Sequence, residues 1–186
     1  MSSVASRAVA AVVGGIVCDA AAQPLHWIYN LQKLDDIVGD KQASLEFWEP
    51  SKNPYYCIET GRGTAYADQL LALLESLVES KGYDGGSYME KLQARMGAGT
   101  DYDNDLNSKF VLKSGVKKTY PIQGPWRPKV IKDFLANRER GLERTGSQAS
   151  SDMHSVIPVI PLVALYAGSR DMLETVESAL AVVTDT

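Results

Sequence analysis

The chain has 186 residues, 45% of them hydrophobic and 23% charged, with a formal net charge of −4 at pH 7. That composition suits one globular domain or two small ones. The acidic balance, without basic runs or aromatics interleaved with Lys and Arg, excludes the electrostatic footprint of a nucleic-acid binder.

Ser2 or Ser3 is placed to cap a first helix through Val4, Ala8, Ala11, Val12, Gly15 and Ile16. Apolar residues on most of its faces predict a buried helix, with Cys18 inside it as a small hydrophobe. Gly14 and Gly15 cost helix stability but permit close approach by a neighbour. Arg7, the run from Ala8 to Cys18 and the alanines 20 to 22 imitate a secretory leader. Asp19 interrupts that pattern, and the run falls short of the ~20 apolar residues a bilayer requires, so no membrane is expected. Pro24 ends the helix. Cys18 and Cys57 are the only cysteines. They make neither a disulfide framework nor a paired zinc spacing, so a reducing, cytoplasmic compartment is expected.

Asn30 to Val38 reads as a short amphipathic helix, and residues 40 to 63 as a long irregular segment rich in aromatics. Thr64 to Ser80 is the clearest helix, with Leu70, Leu71, Leu74, Leu77 and Val78 at helical spacing and Gly82 as its stop. Ser87 opens a helix through Met89, Leu92 and Met96. Residues 97 to 126 read as polar loop, and Arg127 to Arg144 as a further helix. The segment from Ser150, with Pro158 and Pro161, predicts a kinked helix, since its apolar stretch exceeds a typical buried strand. Asp171 to Val183 closes the chain as an amphipathic helix. No strand alternation persists, no internal repeat appears and no linker divides the chain. One all-α domain of orthogonal helices over residues 1–186 is expected.

Several side chains are candidates for chemistry. Asp68 falls near the first turn of the longest Leu-rich helix, where the dipole favours a carboxylate and a hard cation could be presented. Asp101, Asp103 and Asp105 alternate as in a calcium loop, but Leu106 and Leu112 stand where that loop needs Gly and Glu, so a solvated acidic loop is expected. His26 and His154, the only histidines, are each able to exchange protons near neutral pH or to hold a loop by hydrogen bonds. No Ser/Cys-His-acid order and no glycine-rich phosphate motif is present.

These pieces together resemble the ADP-ribosylglycohydrolase superfamily, an all-α fold with a dinuclear magnesium centre. Its opening motif has the form G-D-A-x-G-x-P-x-E, which "CDAAAQPLH" (18–26) matches at Asp19, Ala20 and Pro24. Cys18 and Ala22 replace its glycines, and His26 replaces its glutamate. The family's T-D-D-T metal-ligand motif reads here Tyr66, Ala67, Asp68, Gln69. A third segment, N-G-x-x-M-R followed by Pro, resembles residues 149 to 168, with Met153 and Pro158 matching and His154 in place of the arginine. The words "PLHWIYN", "YADQ" and "IPVIPLVALYAG" are similar to the J-type crystallin and selenoprotein J subgroup. The family completes its metal site in its C-terminal half with a D-x-D-T-type segment, and Asp185 does not read as that segment. The resemblance therefore implies an N-terminal portion of the longer fold.

What the resemblance implies about function divides in two. One reading is a degenerate, non-catalytic member with a structural or ligand-binding role, because Asp68 with neutral Gln69 and Tyr66 would hold magnesium poorly. The alternative is a magnesium-dependent hydrolase that removes ADP-ribose from protein side chains or small acceptors. There Asp68 would be the metal ligand and His26 would stand in the place of the acid. Asp19, Tyr66, Gln69, Met153 and His154 would line the substrate pocket, with Asp19 tying a loop through backbone amides. An ADP-ribose-like small molecule and self-association are the expected partners. In the degenerate reading Asp68→Ala should change stability little.

Overall fold

The first helix, α1 (Val4–Ala22), begins where the Ser3 hydroxyl accepts the Ser6 amide at 3.1 Å. It ends in a 3₁₀ turn at Gln23–Leu25 that carries Pro24. In this computed structural model residues 3–39, 47–104, 120–148, 153 and 156–184 are described. Seven α-helices and two short strands lie among them, which agrees with the all-α expectation. α2 (Leu31–Val38) follows, capped by the Asn30 side chain on the Lys33 amide.

The centre of the molecule is α3 (Ala65–Ser80). Thr64 caps it, and Lys81 ends it in the left-handed region at φ 55° while Gly82 donates its amide to Leu77. Leu70, Leu73 and Leu77 point inward, and Leu73 meets Tyr88, Leu92 and Met96 in one core cluster. These last three belong to α4 (Gly85–Met96). Asp84, rather than Ser87, opens α4, because its carboxylate accepts the Ser87 amide at 2.7 Å. Val130, Ile131 and Phe134 of α5 (Lys129–Glu139) complete the same cluster.

α5 is shorter than the sequence suggests at both ends, for local reasons. Pro128 pushes Arg127 out of helical conformation, and Gly141 at φ 68° terminates the run. The two prolines after Ser150 act as expected. Pro158 opens a 3₁₀ turn at Ile157–Val159, and Pro161 sits in the first turn of α6 (Ile160–Tyr166), where its missing amide is not needed. α7 (Met172–Ala181) follows, and Val183 behind it is buried.

The irregular segments contain β1 (Tyr56–Cys57) and β2 (Ile122–Gln123), paired in parallel with Tyr56 opposite Ile122. Arg127, only 5% exposed, ends α4 by donating to the carbonyls of Met96 (2.8 Å) and Gly97 (3.0 Å), and it also meets Asp103.

Two expectations about α1 are overturned. The helix is not buried: Ala20 is its one buried residue, and Val9 and Val13 are 63% and 52% exposed. Cys18 is exposed as well. The physical reason is that, among the described residues, α1 packs closely against only the helices α3 and α6, and its other faces are left uncovered by them. Gly15 lies against Ile160 of α6, where an added Cβ would come within 3.0 Å, but Gly14 has open space. With its 3₁₀ extension the apolar helix covers 22 residues, long enough by length and composition to cross a bilayer, not the short run counted in the sequence.

Candidate functional site

The N-terminus of α3 is where the predicted residues converge. Asp19, from the last turn of α1, accepts the Thr64 amide at 2.6 Å on Oδ2 and the Thr64 hydroxyl at 2.7 Å on Oδ1. The Thr64 hydroxyl oxygen in turn accepts the Tyr66 amide at 3.1 Å. The Asp19 carboxylate thus fastens the cap of α3, 45 residues away in the chain. Burial pushes its carboxyl above the usual range, the Thr64 hydrogen bonds oppose that shift, and the Asp68 charge adds to it. Gly63 makes the approach feasible, since a Cβ there would lie 2.5 Å from the Ala67 Cβ and 3.2 Å from the Asp19 carboxylate.

Asp68 lies in the first turn of α3, with both its oxygens engaged. Oδ2 accepts the Tyr102 hydroxyl at 2.6 Å, and Oδ1 lies 3.4 Å from Arg95 Nη1. Arg95 also pairs with Glu75. Burial and the Asp68 charge raise the Tyr102 phenol well above its ordinary value, so it stays a donor to that carboxylate. A groove of about 460 Å³ runs past these groups, with the Arg62–Asp101 ion pair at 2.9 Å on its wall. Arg95 and Tyr102 were not legible as site residues. They stand 27 and 34 positions from Asp68, and no motif spacing joins them.

His26 takes up a different flank. Its Nδ1 lies 3.1 Å from the Tyr56 hydroxyl, and its ring centroid is 4.8 Å from Trp27 and 5.9 Å from Tyr66. Trp27 holds φ at 64°, a conformation unusual for a bulky residue, and strain of that kind gathers at functional sites. Its ring meets Tyr55, Tyr56 and Trp126 edge-on at 5.3–5.6 Å. The sequence marked residues 40 to 63 as aromatic-rich, and the structure gathers part of that content around the His26 loop.

Gln69 turns inward instead. It is fully buried, its amide nitrogen donates to the Ala65 carbonyl at 2.9 Å, and its Oε1 has no hydrogen-bond partner among the described residues. Met153 is 60% exposed between α5 and the Ile157–Val159 turn. His154 and Asp105 lie outside the described residues. Asp103 accepts the Gly99 amide and meets Arg127, so part of the acidic loop is structural.

The donor set decides what the site can hold. Magnesium favours octahedral oxygen coordination with one or two carboxylates for each ion. Among the described residues no three His, Cys, Asp or Glu side chains gather for a metal. Both carboxylates at the head of α3 already accept hydrogen bonds within the protein, and a guanidinium stands beside Asp68. The described residues do not fit a magnesium pair.

A helical domain with an acid from its first helix bound to the cap of its central helix now has a family. Residues 1–185 match the ADP-ribosylglycohydrolase family, and the chain belongs to it. The chain is 35% identical over 176 residues to crystallin J1A of Tripedalia cystophora, covering 95% of this chain and 51% of that protein. It is 34% identical over 179 residues to crystallin J1B of the same organism, covering 96% and 52%. It therefore spans about half the length of these curated relatives. No solved structure matches it.

Proposed function

We propose that this chain is a structural or ligand-binding member of its family in which the head of α3 does not support metal-dependent hydrolysis. One observation carries the reading: Asp68, the carboxylate at the family's metal-ligand place, is hydrogen-bonded to Tyr102 and paired with Arg95. A cation that displaced Arg95 would have to strip a guanidinium from two carboxylates and gain in return a single acidic ligand from the "YADQ" segment. The crystallin names of the relatives support the structural side of the reading. The groove past Asp68 and the aromatic residues around His26 offer polar and stacking contacts to an ADP-ribose-like molecule without requiring a metal.

Isothermal titration with ADP-ribose, with and without magnesium, tests this. Binding that is absent, or equal in both conditions, supports the proposal. Tight binding that requires magnesium would establish the alternative, a magnesium-dependent hydrolase acting on ADP-ribosyl bonds. Melting temperature supplies a second readout, because a ligand specific to the folded state raises it. Millimolar magnesium should leave the melting temperature of the parent and of Asp68→Ala unmoved.

A further inference from the structure

We propose that Arg95 is an internal counter-ion standing where a bound cation would stand beside α3, and that this one side chain keeps divalent ions out of the groove. The inference rests on the proposed loss of metal-dependent hydrolysis at the head of α3, and it names the residue responsible. Asp68 and Glu75 stand two turns apart on α3, about 10 Å along its axis. One guanidinium joins them: Arg95 Nη1 lies 3.4 Å from Asp68 Oδ1, and Nη2 donates to Glu75. A planar fork with two separated donors spans such a pair, which a point charge does not.

The place of Arg95 is fixed by α4. It lies in the last turn of that helix, where the C-terminal dipole favours a cation. Leu92 and Met96, its neighbours along the helix, are fully buried in the core and anchor the backbone from which it projects. The other cations of the groove have more exposed partners. Arg62 pairs with Asp101, whose side chain is 72% exposed, and Lys91 with Glu79, 60% exposed. Exposed pairs of that kind contribute little. Asp68 differs, because its side chain is only 14% exposed and its second oxygen accepts the Tyr102 hydroxyl. Removing Arg95 would leave Asp68 and Glu75 as two uncompensated carboxylates lining one groove. Calcium-like ions complete a shell of oxygen ligands from a few carboxylates and water.

Terbium, a calcium-like probe whose emission a nearby tyrosine sensitises, reads this place through Tyr102, and calcium-dependent melting gives a second readout. The parent is expected to show no terbium signal and no calcium shift that Asp68→Asn removes. Arg95→Gln should gain both, with binding at least about tenfold tighter than the parent's and a Kd in the ~10⁻⁴–10⁻³ M range of weak calcium sites. Adding Asp68→Asn to Arg95→Gln should abolish the gain. Lys91→Gln, which removes a cation from the same groove without releasing Asp68, should gain nothing. A parent signal that Asp68→Asn removes overturns both this inference and the reading on which it rests. A silent parent with an equally silent Arg95→Gln overturns the inference alone. So does an equal gain in Lys91→Gln, which would make net charge the cause, or a gain that survives Asp68→Asn. If Arg95→Gln is unfolded by circular dichroism, refolding on addition of calcium supports the inference and failure to refold overturns it.

Discussion

Asp19 shows how one side chain sets the geometry of its neighbourhood. The carboxylate reaches Thr64 only because Gly63 lacks a side chain, so Gly63→Ala should cost about 1–3 kcal/mol through overpacking against Ala67. A loss of that size lowers the melting temperature by about 2–4 °C for each kcal/mol in a chain of this length, and an unchanged melt would contradict the geometry. Asp68 teaches a different lesson. The sequence alone expects its removal to be nearly silent. The structure gives it a buried phenol and a guanidinium as partners, so Asp68→Ala should cost about 1–3 kcal/mol by leaving the Tyr102 hydroxyl unsatisfied. Asp103 carries a pH signature. The Gly99 amide, then Arg127, hold its carboxyl below the ordinary value. A carboxylate whose folded pKa is depressed stabilises the fold above about pH 4, its unfolded value, and loses that contribution as the pH falls through the folded one. The melting gap between the parent and Asp103→Asn should therefore be present at neutral pH and close on acidification. A gap that widened in acid would reverse the sign of the argument.

Among the elements, α1 and α3 differ in what surrounds them although both read as strongly apolar. α3 is packed along Leu70, Leu73 and Leu77, whereas α1 keeps little more than the α6 and α3 sides. Leu73→Ala should cost about 2–5 kcal/mol. Val4→Ala, at a residue 67% exposed, should stay within about 0.5 kcal/mol. Urea denaturation of the two variants checks the contrast, and equal losses would mean that α1 is covered in solution by something beyond the described residues. Much of the element pattern was legible. The limits of α3, the Ser3 cap and the role of the two prolines follow from capping chemistry and from the missing proline amide. What escaped was which of α3's two stripes faces inward. Leu71, Leu74 and Val78 obey the same helical spacing as Leu70, Leu73 and Leu77, and periodicity cannot rank them.

On the scale of the whole molecule, two clusters are joined through the loops around α3. The helical core holds Leu73, Tyr88 and Phe134, while Tyr56, Ile58 and Ile122 gather Trp27 and Trp126 beside β1 and β2. Asp19 and Arg127 tie the two, one to the head of α3 and the other to the end of α4. If residues 1–186 form a single cooperative unit, tryptophan fluorescence, to which the cluster contributes Trp27 and Trp126 of the three tryptophans, and far-ultraviolet circular dichroism, which reports the helices, should give coincident urea transitions. Separated midpoints would show that the aromatic region unfolds on its own.

By itself the sequence determined the helical class, the place of the main helices, and the motif remnants at Asp19, Pro24 and Asp68 that mark the family. Those properties are local: spacing, caps and residue identity along one stretch of chain. Only the tertiary structure decided that Asp19 serves the cap of α3, that Asp68 is held by Arg95 and Tyr102, and that α1 lies open. Each depends on a contact across tens of residues, and the spacing of residues along one helix does not state what packs against it.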